Sequence, residues 1–360
     1  MDSNNYIKLL KNTLKYDIQE HNLQCVINDL RESKVVTYKE TDNEDIISIN
    51  SKDDKSKRII DCLTQPERVA SFIEKMFINK GYRYSIYFKC DEFALNENKV
   101  NYNSLDDFLP MAFIKTKDLS KPILINEKES IIFKFSKIID PFYSEIESIR
   151  SVFYPTLWIY HKELKILEHR FDLIGFKGKD DFYETTFHAQ LQLLKSHFHI
   201  KTSEFRSSKT IKYIVDNKKN EVHEISQHMG LKGDSTAKLK AGQNLVMPFI
   251  GDLERLLEDN IKLFEKNDDT IKISDLINEY ISDVKKNAKY KSRLLYWYDG
   301  KNNFLGINIL FSYRDKNYDL FNFHNPKNTK MELMNYAIQY IVKVQNDIGS
   351  NRRRRTKRVK

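Results

Sequence analysis

The chain has 360 residues, 40% of them hydrophobic and 31% charged, with a formal net charge of +9. Arg352–Lys360 holds seven cations and no acid, which leaves about +2 for the rest and excludes a uniformly basic, histone-like chain. Ten glycines and seven prolines leave little room for long linkers, so a folded chain of more than one part is expected.

In chain order, Asn4–Ile18 has helical spacing, with Tyr6, Leu9, Leu10 and Leu14 along one side. Leu23–Ile27, Lys34–Tyr38 and Asp45–Ile49 read as short strands, and Ser51–Arg58 as a charged loop. Gln65–Lys80 predicts a helix, with Pro66 in its first turn and Gly81 at its end. Strands follow at Tyr82–Cys90 and Ile132–Ile139, and a helix is expected over Tyr143–Val152.

Phe153–Phe176 has the pattern of a β-hairpin, with apolar runs Pro155–Tyr160 and Lys165–Ile174 around the polar bend His161–Leu164. Alternation in the second run sets Leu167, His169, Phe171 and Leu173 on one face and Glu168, Arg170 and Asp172 on the other. Three charges on one face of so apolar a strand make either an ion-pair ladder or a working site.

Helical spacing returns at Tyr183–Phe198, after Pro248 (Ile250, Leu253, Leu257, Ile261, Phe264), and after Ser274. Three strands, Leu294–Tyr298, Leu305–Tyr313 and Tyr318–Phe323, precede a helix from about Thr329 to Asp347. The expected fold class is α+β, with mixed or antiparallel sheets, packed helices and a disordered basic tail. The expected divisions are 1–125, 126–265, 266–350 and the tail 351–360.

Glu224–Leu239 (EISQHMGLKGDSTAKL) resembles a helix-turn-helix DNA-reading motif. Ile225 and Met229 would face the motif's core, and Gly230 would make the turn. The resemblance implies a second helix that presents Thr236, Lys238, Lys240 and Gln243 to DNA, where lysine meets phosphate or guanine and glutamine reads adenine. Thr236 departs from the Val or Ile usual at its position. The tail cations Arg352, Arg353, Arg354, Arg355, Lys357 and Arg358 suit sequence-blind phosphate contacts. Lys285, Lys286, Lys289, Lys291 and Arg293, near Tyr290 and Trp297, form another basic patch with aromatics.

A nuclease would need carboxylates that hold Mg²⁺ and a lysine that orients water. The triplets Glu97–Lys99 and Glu163–Lys165 sit in a loop and a bend, so Glu168, Arg170 and Asp172 are the better fallback. His223 and His228 are five apart, on different faces of a helix, and do not make an HExxH zinc site. No phosphate-binding GxxxxGK[ST], dinucleotide GxGxxG or GxSxG elbow occurs, and no cofactor is expected.

Cys25, Cys62 and Cys90 are too sparse for a disulfide framework. The first residues show no secretory leader, and no run approaches 18 uncharged apolar residues. These features lead to a cytoplasmic nucleic-acid-binding protein, with DNA as the favoured partner and no membrane partner. Its lysine-, asparagine- and isoleucine-rich composition suits a mobile-element or anti-phage setting. The alternatives are a Mg²⁺-dependent nuclease and a non-enzymatic interaction subunit.

Overall fold

The structure is a computed structural model that describes residues 3–94, 122–174, 181–230, 236–240, 248–287, 289–298, 304–324 and 331–358. The chain is α+β and divides into two compact units, Met1–Glu204 with Asn325–Tyr336, and Phe205–His324 with Ala337–Lys360.

The first unit opens with helices α1 (Ser3–Tyr16) and α2 (Glu20–Glu32), and two-residue strands β1 (Val36–Thr37) and β2 (Ile47–Ser48), which pair in parallel. Helices α3 (Lys55–Cys62) and α4 (Pro66–Asn79) follow. These helices share one core that includes Leu10, Leu14, Val26, Ile27, Ile59, Ile73 and Phe77. The segment expected as a strand at Leu23–Ile27 is helical, because Leu23, Val26, Ile27 and Leu30 recur at i, i+3, i+4 and i+7 and are all buried. The expected loop Ser51–Arg58 runs into α3, whose Ile59 and Cys62 are buried in the same core.

Strands β3 (Tyr84–Glu92), β4 (Ile123–Asn126) and β5 (Ser130–Ile139) come next. The short β6 (Phe142–Tyr143) and β7 (Ser148–Ile149) pair where a helix was expected; Glu147 between them takes a left-handed conformation (φ 48°), which stops a helix. The hairpin forms, with β8 (Val152–His161) paired to β9 (Ile166–Phe171), but β9 ends at Phe171, short of the expected Ile174, and leaves Asp172 and Leu173 outside the strand. Helix α5 (Phe182–Phe198) and strand β10 (Lys201–Glu204) complete the long segment. The strands pair antiparallel in the order β10–β3–β9–β8–β5–β4.

Strand β9 lies between two partners, and every residue from Ile166 to Arg170 is buried. On one face Trp158 stacks on His169 (4.4 Å) and on Phe187 of α5, whose ring lies tilted against His169. There, Trp158 Nε1 and Thr156 Oγ1 both donate to Gln190 Oε1, at 3.0 Å each. On the other face Glu74 of α4 meets Lys134 of β5, both buried, and Glu74 also accepts from Tyr6 Oη at 3.1 Å.

In the second unit, α6 (Ser208–Asn217) precedes strands β11 (Val222–Gly230) and β12 (Thr236–Lys240). Helices α7 (Pro248–Asp259), α8 (Ile261–Phe264) and α9 (Asp268–Asn287) follow. Strands β13 (Lys289–Tyr298), β14 (Phe304–Leu310) and β15 (Leu320–His324) pair antiparallel with β11 and β12 in the order β12–β11–β13–β14–β15. The three C-terminal strands match the expected meander.

Asp319 pins this unit's loops. Its Oδ2 accepts from the Ser207 N–H and Oγ (2.8 Å each), and its Oδ1 from the Ser312 N–H (2.9 Å). Helix α10 (Met331–Arg358) ends the chain. Its backbone carries Arg352, Arg353, Arg354, Arg355, Lys357 and Arg358 as helix, in place of the expected disordered tail. Arginine and lysine are good helix formers, and cations at a helix C-terminus complement its dipole. Of the expected boundaries, 125 falls inside β4 and 265 at the end of α8. No described helix is long and apolar enough to cross a membrane.

Candidate nucleic-acid interface

The helix-turn-helix reading is overturned. Val222–Gly230 and Thr236–Lys240 are paired strands, with Ser226 opposite Lys240, His228 opposite Lys238 and Gly230 opposite Thr236. The spacing of Ile225 and Met229 suggested a helix, but a bulge between Glu224 and Ser226 shifts the register, and Ile225 is left exposed. Gln243 lies outside the described residues.

A second register shift lies between His228 and Met229. Leu295, Trp297, Leu305, Ile307, Ile309, Phe321 and Phe323 face inward and are almost completely buried. Of the intervening positions of β13–β15, Leu294, Tyr296, Asn308 and Asn322 are half-buried or exposed, while Gly306 and Leu320 are buried, so this face is the wetter of the two. Register places Lys238 opposite His228 and Lys240 opposite Ser226, which in turn lie opposite Ser292 and Leu294, whereas Thr236 lies opposite Gly230, beyond the second register shift. Three of the four residues assigned to DNA contact therefore belong to a strand and not to a helix.

Aromatic residues mark that face. Tyr296 is 36% exposed and Phe304 65% exposed. Phe304 lies opposite Tyr298, with ring centroids 5.4 Å apart. Tyr296 lies opposite Gly306, and a Cβ on that glycine would come within 2.6 Å of the Tyr296 ring. The glycine thus gives the ring its place against the backbone. Sequence reading passed over this set, although a glycine in mid-strand opposite an aromatic was the available signal.

The basic patch expected around Arg293 is divided. Lys291 is exposed, but Arg293 is buried, with its guanidinium 3.9 Å from the centre of the Tyr290 ring and its Nε 3.4 Å from Glu224 Oε1. Burial raises the Glu224 carboxyl, and Arg293 partly offsets that. Trp297 is fully buried and takes no part in any surface. The side chains of Lys285, Lys286 and Lys289, like those of Thr236, Lys238, Lys240 and residues 351–360, lie outside the described residues.

The fallback set in the first unit is closed. Glu168 and Arg170 are 0% exposed. Arg170 donates to the Glu168 carboxylate from Nε (2.7 Å) and Nη2 (2.8 Å), and Ser85 Oγ donates to it at 2.7 Å. His161 Nε2 lies 2.8 Å from Glu168 Oε2, and Asn335 Oδ1 accepts from Arg170 Nη2 at 2.5 Å. Burial would raise the Glu168 carboxyl, but the Arg170 charge and hydrogen bonds from His161 and Arg170 outweigh it and hold the group well below the usual carboxylate range. Asp172 stands apart from this pair. It meets Lys80 and accepts the Arg83 N–H at 2.9 Å.

A carboxylate saturated by its partners and shut off from solvent orients a core and offers no open position to a substrate or a cation. Neighbouring His169 is pushed down to about 3, chiefly by burial. It is a neutral packing residue. Among the described residues, no group of three histidine, cysteine, aspartate or glutamate side chains is placed to hold a metal ion. No family model matches this sequence, and no curated protein matches it.

Proposed function

We propose that this chain is a nucleic-acid-binding protein of the cytoplasm that holds single-stranded DNA across the open face of its second unit. The observation that carries the reading is Tyr296 and Phe304, exposed together on a sheet whose opposite face is apolar and buried. Flat rings on a sheet stack against bases, and every base has a stackable face. Lys238 and Lys240, on β12 of the same sheet, supply phosphate contacts. The cations Arg352, Arg353, Arg354, Arg355, Lys357 and Arg358 add sequence-blind attraction along the strand. Free Cys25, Cys62 and Cys90 are compatible with a reducing compartment.

The test is fluorescence anisotropy with a labelled single-stranded oligonucleotide and the matching duplex. Tyr296→Ala and Phe304→Ala should each weaken single-strand binding by about fivefold to a hundredfold, the range for losing one stacked base. Equal binding by the variants and the parent refutes the reading. A preference for duplex would refute the stacking mechanism.

A further inference from the structure

The helices α7, α8 and α9 between β12 and β13 have a character opposite to that of the rest of the chain. From Ile250 to Val284 there are ten acids and four bases, in a chain of net +9. Their own core is small, with Ile250, Leu257 and Ile281 buried. Much apolar surface is left outside it, including Ile261 at 53%, Ile271 at 42% and Leu276 at 65% exposure.

A groove of about 350 Å³ runs between these helices. Ile261 and Ile271 contribute apolar lining, Glu254, Glu258, Glu265 and Asp275 surround it, and none of its lining residues among the described ones is basic. Exposed isoleucines beneath a carboxylate rim are a poor surface to leave in water and a good complement to a helix with a leucine stripe flanked by lysines.

We propose that this groove docks a cationic amphipathic helix of a partner protein. The chain's own basic helices do not fit that description. In α1 and α6, the apolar residues beside the lysines (Leu10, Leu14, Ile211, Ile214) are already buried in this fold. The basic end of α10 has charge without a stripe, since Ile348 and Val359 are the only large apolar residues after Val344. The occupant therefore comes from another protein.

The test uses the full-length chain and a fluorescent helix-forming peptide of leucine and lysine, with leucines at i, i+3, i+4 and i+7. A shuffled peptide of the same composition and a leucine–glutamate peptide with the same stripe serve as controls. The striped cationic peptide should bind saturably and at least about tenfold more tightly than either control. Ile261→Asp and Ile271→Asp, at exposed positions, should each cost about tenfold or more.

Glu258→Lys with Asp275→Lys should shift preference toward the leucine–glutamate peptide. This holds even if an isoleucine variant proves misfolded by circular dichroism. Equal binding of striped and shuffled peptides, or unchanged binding by all variants, overturns the proposal. So does a concentration-dependent dimer in light scattering that Ile271→Asp abolishes, which would make a second copy the occupant.

Discussion

Replacing Arg170 with methionine removes the buried cation and keeps much of its volume. Glu168 would be left at 0% exposure with Ser85 and His161 as partners, without its two charge-assisted bonds of 2.7 and 2.8 Å. Breaking one side of a buried ion pair costs about 3–5 kcal/mol, because the remaining charge is uncompensated. With a urea m-value of about 2–3 kcal/mol/M, the midpoint of the first unit should fall by about 1–2.5 M. Trp158, buried on the adjacent strand, reports the transition, and a Trp297→Phe background silences the second unit's tryptophan. Adding Glu168→Gln should recover more than half of the loss, since the amide still accepts from Ser85 and carries no charge. An unchanged midpoint in Arg170→Met refutes this account. A rise in stability would point instead to a strained working site.

His169 has a folded pKa of about 3 against 6.5, so the unfolded chain binds the extra proton between those values. Stability from this group is full above pH 6.5 and is lost as pH falls through the window, by about 1.4 kcal/mol per unit and about 5 kcal/mol at most. His169→Phe should flatten the pH dependence of the urea midpoint between pH 6.5 and 5, and an unchanged slope would count against it. Gly306→Ala should push the Tyr296 ring from its seat and weaken oligonucleotide binding about as much as Tyr296→Ala; binding equal to the parent's would show that the ring's position is irrelevant. Deleting Arg352–Lys360 should lower the slope of log affinity against log salt by about 0.7 for each phosphate that is no longer neutralised, and an identical slope would remove those cations from the interface.

Local patterns in the sequence disclosed the elements whose signals are local. The hairpin was legible because a polar bend interrupts two β-branched and aromatic runs. Helices α4 and α5 showed complete apolar stripes, and the meander had short polar turns. Errors arose where two periods compete over few residues. Leu23–Ile27 looks like a strand until Leu30 is counted with it, and the bulge at Ile225 breaks the alternation that would have revealed β11.

The site was harder to see for a different reason. Glu168, Arg170 and Asp172 were expected to share one face, but what decides their role is burial by distant segments, with partners at positions 85, 161 and 335. Strand alternation cannot report that both faces of β9 are covered. On the second unit, the lysines were selected for a helix, yet Thr236, Lys238 and Lys240 lie on strand β12.

The reach from Arg170 to Asn335 has a consequence for how the chain is made. The first unit is completed by a segment translated long after the rest of it. Asn335 accepts from Arg170 across 165 residues, and Met334, fully buried, takes the Tyr82 N–H across 252. At ordinary rates of synthesis, the strands that hold Glu168 wait roughly ten to thirty seconds for these closing residues. During that interval the nascent unit lacks part of its cover, and Arg170 lacks its amide partner. A ribosome stalled before residue 331 would therefore leave the first unit open to proteases, although 204 consecutive residues of it had already emerged.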